Sequence, residues 1–118
     1  MNWNDNEPIY IQIKTQISSS IIEGSLLENE PIPSIRQVAA DYNINPLTVA
    51  KAYGILADDG IVEKRRGLGM FVCTGAKSQL LKDQRNQFIE QEWPEIIKKI
   101  KRLGLCMSEL TEWMILSP

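Results

Sequence analysis

The sequence has no histidine and only two cysteines, Cys73 and Cys106, among its 118 residues. Two isolated cysteines cannot supply the four ligands of a zinc site, and we interpret them as small apolar residues of a reducing compartment rather than as a disulfide. Paired-carboxylate motifs and a phosphate loop of the Gly-Lys-Ser/Thr kind are also missing. We therefore expect neither an enzyme nor a metal or cofactor site.

Long hydrophobic runs are absent as well, since no apolar stretch approaches the roughly 20 residues that a membrane span needs. The start of the chain lacks the basic and then apolar order of a signal peptide. Hydrophobic residues make up 43% and charged residues 24% of the chain, which is typical of a packed soluble protein. The expected location is the cytoplasm, with no membrane partner.

The chain also lacks the excess of positive charge that is typical of nucleic-acid binders, because its net charge is -2. Residues 1–75 contain six basic and nine acidic side chains. Five of the six basic side chains nevertheless fall within one stretch, at Arg36, Lys51, Lys64, Arg65 and Arg66. A local positive face on an acidic body can still bind phosphate.

What the sequence does contain is a series of helix signals. Isoleucines recur every four residues from Ile9 to Ile21, which predicts an amphipathic helix that begins at Pro8 and ends at Gly24. Residues 25–33 include two prolines and are predicted to form a loop.

Two short helices with a tight turn between them are predicted next. Ser34 and Gln37 form a capping box for the second helix, and Asn43 suits a left-handed turn. Asn45 is the expected N-cap of the third helix, and Pro46 is its first residue. The helical period places Val49, Ala52, Tyr53 and Leu56 on one buried face, and Leu47, Thr48, Lys51 and Ile55 away from it.

A basic hairpin is predicted to follow the third helix, which should reach about Asp59 and stop at Gly60. Residues 61–64 and 70–72 have strand composition, and the five residues from Arg65 to Gly69 form the expected loop. Helix, turn, helix and hairpin in this order predict a winged helix-turn-helix domain over residues 1–75. The predicted fold class is mainly α with a small β-hairpin.

The C-terminal part, residues 76–118, is predicted to be a two-helix dimerisation segment. Residues 77–103 are helical in pattern, with a kink or division at Pro94 and an end at Gly104, and a last helix covers about Met107 to Leu116. A two-helix hairpin is too shallow for a core of its own. We expect a second copy to cover its apolar stripe, which consists of Leu81, Phe88, Trp93, Ile97, Ile100, Leu110 and Trp113.

Five ordered motifs resemble the GntR family of bacterial transcription regulators, and in particular its short YtrA subfamily. They are Pro8-Ile9-Tyr10, Gly24-Ser25-Leu26, Pro33-Ser34-x-Arg36, Asn45-Pro46-x-Thr48-Val49-x-Lys51-x-Tyr53 and Arg66-Gly67-x-Gly69-x-Phe71-Val72. The sequence departs from the family pattern at residues 28–32, where a Gly-Asp-like turn is usual, and at Met70, where Thr or Ser is common. Leu47 lies at a recognition-helix position where the family varies.

The resemblance implies a homodimeric repressor that binds a palindromic operator and controls its own operon or transport genes. Helix-turn-helix proteins read base edges with the start of their second helix. Thr48, Lys51 and Leu47 fit that role, whereas Ser34 and Arg36 would grip the backbone and Arg65 and Arg66 would meet phosphate or the minor groove. The complete predicted DNA-binding set is Ser34, Arg36, Asn45, Pro46, Leu47, Thr48, Lys51, Tyr53, Lys64, Arg65, Arg66, Gly67 and Gly69.

Two other functions compete with this hypothesis. A winged helix can serve protein binding alone, and a regulator can respond to a small-molecule effector bound between the domain and the tail. Taken singly, Lys51 or the Arg65-Arg66 pair would be ordinary solvated charges, and Trp93 and Trp113 would be ordinary core. Their occurrence together and in one order favours DNA binding.

Overall fold

The computed structural model describes Trp3 and residues 5–117, so the predicted domain limits at residues 1 and 118 lie outside the described part. The chain divides into two compact units between Leu81 and Lys82. The elements, in chain order, are α1 (Ile9–Glu23), α2 (Ile35–Tyr42), α3 (Pro46–Asp58), β1 (Val62–Arg65), β2 (Gly69–Val72), α4 (Ala76–Gln87), a π-helical turn (Phe88–Glu92), α5 (Trp93–Leu103) and α6 (Met107–Leu116).

Helix α3 lies at the centre of the first unit and packs against α1, α2 and β1. The predicted inward face is confirmed, because Val49, Ala52, Tyr53 and Leu56 are all buried. The isoleucine stripe of α1 supplies the facing side of the core through Ile13, Ile17 and Ile21. Burial of these aliphatic side chains fixes the position of α3 and leaves its opposite face to solvent.

The predicted helix ends are confirmed where local polar groups specify them. The Gln37 backbone N–H donates to Ser34 Oγ over 3.1 Å, which is one half of the predicted capping box. The Leu47 N–H donates to Asn45 Oδ1 over 2.9 Å at the start of α3. Asn43 takes a left-handed conformation with φ of 53°, which lets the chain turn sharply between α2 and α3.

The hairpin is tighter than the sequence predicted. Arg65 pairs with Gly69 at the end of the antiparallel ladder, so the loop contains only residues 66–68. The prediction that Arg65 and Gly69 lie in the loop is therefore wrong. Gly67 and Gly69 adopt positive φ values of 77° and 103°, which side-chain-bearing residues rarely adopt and which allow the chain to reverse within three residues.

A third segment pairs with the hairpin, although residues 25–33 were predicted to be only a loop. The Ile32 N–H donates to the Met70 carbonyl over 2.9 Å, and the Val72 N–H donates to the Glu30 carbonyl over 2.9 Å. Pro31 forms an isolated antiparallel bridge with Phe71. Pro31 therefore lies at the edge of the sheet, where its missing N–H costs no ladder hydrogen bond.

Helix α4 begins in the first unit, because Ala76 and Leu80 are buried in that unit's core. The division between the units therefore lies within α4, after the predicted boundary at residue 75. No helix among the described residues is long and apolar enough to cross a membrane.

The predicted division of the C-terminal helix near Pro94 is confirmed. The Trp93 N–H donates to the Phe88 carbonyl, five residues back, and closes a π-helical turn before α5. Proline has no N–H to donate, and its ring would clash with the carbonyl four residues earlier, which the wider turn avoids. The predicted helix ends are also confirmed, since Gly104 follows α5 with φ of 68° and α6 spans Met107–Leu116.

Candidate nucleic-acid interface

The outward face of α3 presents a mixed surface from its first two turns. Leu47 is 75% exposed, although it is a large apolar side chain, and Thr48 is half-buried beside it. Lys51 is exposed, and its Nζ lies 4.0 Å from the centroid of the Tyr10 ring on α1. This cation–π contact holds the ammonium group over one place on the surface. Asn45 and Pro46 are exposed and shape the backbone at the start of the helix.

The start of α2 is a second exposed element. Ser34 and Arg36 are both exposed, and Ser34 Oγ already accepts the Gln37 N–H as a helix cap. The unpaired N–H groups at a helix start carry a partial positive charge that favours anions such as phosphate. Arg36 adds a full charge in the first turn of the same helix.

Tyr53 differs from its predicted role as a DNA contact. The side chain is only 2% exposed, and its hydroxyl donates to the Pro33 carbonyl over 2.7 Å. Burial raises the pKa of Tyr53 to about 12. Tyr53 thus links α3 to the residue before Ser34 and sets where α2 begins, but it has no surface with which to touch DNA.

The loop of the hairpin carries the basic tip. Lys64, Arg66, Gly67 and Gly69 are exposed, and Leu68 at the tip is exposed as well. Arg65 is different, since its guanidinium lies 4.4 Å from the Phe71 ring centroid and bonds to neighbouring protein groups. Met70, at a position where a hydroxyl residue was expected, packs partly against the core.

The second unit carries six of the seven apolar residues that were predicted to dimerise, and they are exposed or half-buried. Three of them, Trp93, Ile100 and Leu110, line one groove of about 250 Å³ between α5 and α6. Trp113 is 75% exposed and lines a different hollow with Glu112 and Leu116. The centroids of the Phe88 and Trp93 rings lie 6.2 Å apart, and Ile97 is half-buried on α5. Leu81 belongs to the first unit and not to the second.

Residues 9–72, from α1 to the end of β2, match the family of bacterial regulatory proteins called gntR, and this stretch is more than half of the chain. The chain belongs to the GntR family. The HTH-type transcriptional regulator YhcF of Bacillus subtilis (strain 168) is 31% identical over 93% of this chain and 89% of its own length. The HTH-type transcriptional repressor YtrA of the same organism is 32% identical over 91% of this chain and 82% of its own length.

Solved structures of other regulators share all or part of this architecture. A GntR family transcriptional regulator from Listeria monocytogenes matches with a TM-score of 0.80 and 26% identity, over 98% of this chain and 100% of that one. The DNA-binding domain of AraR in complex with an operator matches with a TM-score of 0.56 and 30% identity, over 62% of this chain and 88% of that one. The predicted winged helix-turn-helix with C-terminal helices is confirmed, and the chain is a DNA-binding transcription regulator.

Two residues of this GntR chain contact side chains of the candidate interface, and a third fixes the segment beside them, although sequence reasoning gave none of the three a role there. Tyr10 supports Lys51, and Asn29 bonds to Arg65. Glu28 accepts backbone N–H groups at the start of α4. Tyr10 belongs to the first of the five motifs, so the sequence offered a signal for it. Residues 28 and 29 lie where the sequence departs from the family pattern, so it offered none for them.

Among the described residues, no cluster of three or more His, Cys, Asp or Glu side chains is placed to hold a metal ion.

The buried phenol of Tyr53 leads to a prediction about alkaline pH. The pKa of this phenol is about 12 in the folded chain, against 10 for a free phenol. Because the folded pKa is raised, this contribution to stability is complete below pH 10 and is lost as the pH rises towards 12. We expect one of the three tyrosines to titrate near pH 12 in phenolate absorbance, and Tyr53→Phe to remove that late step. Titration of all three near pH 10 would contradict the assignment.

Proposed function

We propose that this chain is a homodimeric repressor that acts in the cytoplasm and binds a palindromic operator. The observation that carries the proposal is the exposed start of α3, where Leu47, Thr48 and Lys51 share the face opposite the core. An α-helix fits the major groove, whose base edges distinguish all four base pairs. Repressors among the relatives, including YtrA, support repression as the outcome of binding.

Leu47, Thr48 and Lys51 each have a chemistry that suits base edges. The Thr48 hydroxyl can donate or accept, and the Lys51 ammonium can donate to guanine O6 and N7 or to a phosphate oxygen. Leu47 offers an apolar contact for the methyl group of thymine. Such a contact would account for a large aliphatic side chain that is 75% exposed to water.

The remaining contacts position the protein on the duplex. Arg36, at the start of α2, binds the phosphate backbone together with the cap of that helix. Lys64 and Arg66 belong to the wing, which we define as β1, β2 and the loop of residues 66–68. The wing lies against phosphate or the minor groove, where positive charge is favoured in narrow A·T-rich DNA.

The dimer is proposed to form through the second unit. Among the described residues of this unit, Trp113 and several of its neighbours on α6 are exposed. Contiguous apolar surface of this kind marks an interaction site. A two-fold dimer would present two α3 helices to half-sites about 34 Å apart, one turn of B-form DNA. The controlled genes are proposed to be the chain's own operon or transport genes.

Two alternatives carry less support. A small-molecule effector is not part of the proposal, because the apolar groove between α5 and α6 is assigned to a second copy of the chain. A winged helix that binds only protein would not need the exposed Arg36, Lys51 and Arg66 together, and it would show no steep salt dependence with DNA.

The proposal is tested by removing one charge at a time. Arg36→Ala and Arg66→Ala should each weaken operator binding and lower the slope of log affinity against log salt by about one unit per site, or about two per dimer. Both side chains are exposed, so circular dichroism should show an intact fold. Lys77→Ala, an exposed charge outside the proposed interface, is the matched control and should leave the slope unchanged. Wild-type affinity and slope in both arginine variants would refute the docking arrangement.

A further inference from the structure

Arg65 and Arg66 are adjacent in sequence but differ in their surroundings. The Arg65 guanidinium stacks on the Phe71 ring, with its carbon 4.4 Å from the ring centroid. Its Nη2 donates to Glu63 Oε1 over 3.1 Å and to Asn29 Oδ1 over 3.0 Å. The Arg65 side chain is 33% exposed, whereas Arg66 lies in the loop and is exposed. Protein groups therefore already occupy the face and one edge of the Arg65 guanidinium.

Asn29 is the residue that joins this guanidinium to the rest of the domain. Its backbone has φ of 67°, a left-handed conformation that asparagine tolerates better than most residues. Its N–H donates to the Val72 carbonyl over 2.7 Å at the end of β2. Its amide Nδ2 donates to Thr74 Oγ1 over 3.1 Å, while its Oδ1 accepts from Arg65. One side chain thus connects the end of β1 to the segment after β2.

The neighbouring residue fixes the same joint to a helix. Glu28 Oε1 accepts the Gly75 N–H over 2.8 Å, and Glu28 Oε2 accepts the Lys77 N–H over 3.4 Å. These N–H groups belong to the start of α4, where a carboxylate is favoured by the helix dipole. Asn29 is therefore a fixed point and not part of a free loop, so a side chain bonded to it is fixed as well.

We infer that Arg65 is a positioning residue, which anchors the end of β1 to Asn29 and so aims the loop of residues 66–68 at DNA. To reach a phosphate instead, Arg65 would have to leave three hydrogen bonds, two of them to Glu63 Oε1, and an aromatic face. Arg66 follows directly at the hairpin's turn and makes the DNA contact that Arg65 supports. The inference rests on the proposed wing contact, and it changes the role of one of the residues that the sequence assigned to DNA.

Operator titrations of five variants separate positioning from direct contact. Asn29→Gly keeps the left-handed backbone without strain and removes only the side chain. We expect Asn29→Gly and Arg65→Ala each to weaken operator binding about 3- to 10-fold, the range that follows from losing one supporting hydrogen bond. Arg65→Lys should bind as poorly as Arg65→Ala, because an ammonium group cannot make the planar stack and fork together. Arg65→Ala combined with Arg66→Ala should bind no worse, and show no smaller salt slope, than Arg66→Ala alone.

Direct contact predicts the opposite pattern. If Arg65 binds phosphate itself, Arg65→Lys retains affinity, Asn29→Gly has no effect, and the two arginine losses add in both affinity and salt slope. Any of these results overturns the inference. Binding is measured well below the melting temperature of each variant, so that unfolding does not contribute. If Arg66→Ala binds the operator with the affinity and salt slope of the wild type, the proposed wing contact is refuted instead. The affinities of Asn29→Gly and Arg65→Lys would still decide the role of Arg65.

Discussion

The 118-residue chain is expected to sediment as a dimer at micromolar concentration, and Ile100→Glu is expected to make it a monomer. Ile100 lines the apolar groove between α5 and α6, where a carboxylate would be desolvated by a second copy. A dimer binds its second half-site intramolecularly, at an effective concentration that typically adds 10²- to 10⁴-fold to affinity. Operator affinity should therefore fall by at least about 100-fold, while affinity for an isolated half-site is unchanged.

Two further variants make this result interpretable. Trp113→Glu changes a side chain that is 75% exposed, so it removes little packing within the chain and should also give a monomer. Lys99→Glu lies next to Ile100 but on the exposed side of α5, and it should remain a dimer with full operator affinity. A wild-type chain that sediments as a monomer would overturn dimerisation through this unit, as would dimers in both glutamate variants of the apolar surface.

Thr48→Ala and Lys51→Ala are expected to reduce affinity for the cognate operator by about 1–3 kcal/mol each, with a smaller loss on scrambled DNA. Both residues lie on the outward face of α3 within its first two turns, the part of a recognition helix that meets base edges. Arg66→Ala should weaken binding to both DNAs more evenly, because phosphate and the minor groove carry little sequence information. Paired titrations at one fixed salt concentration measure the difference.

Tyr10→Leu provides the control for the conformation of Lys51. The Tyr10 ring holds the Lys51 ammonium at 4.0 Å, and leucine keeps an apolar side chain without the ring's negative face. This variant should lose part of the cognate affinity that Lys51→Ala loses and should keep the fold. Equal losses on cognate and scrambled DNA for both α3 variants would show that α3 does not read sequence.

The helices and their ends could be predicted because the groups that specify them are close in sequence. Ser34 caps the N–H of Gln37, Asn45 caps that of Leu47, and Gly104 supplies the left-handed residue after α5. The ring of Pro94 would clash with a carbonyl of the preceding turn, so the division of the C-terminal helix could also be predicted from the sequence. The periodic isoleucines of α1 and the inward face of α3 follow from the same short-range geometry.

The tertiary structure decided which residues far apart in sequence form hydrogen bonds or bury each other. Arg65 and Asn29 are 36 positions apart, and Asn29 and Thr74 are 45 apart, so no local pattern shows that these side chains meet. Tyr53 had the position of a family motif residue, but only its burial and its bond to the Pro33 carbonyl reveal a supporting role. The sequence by itself determined the helices, their caps and the order of a winged helix-turn-helix. Folding decided which basic side chains are left free for DNA, because burial and pairing depend on groups that only the folded chain brings together.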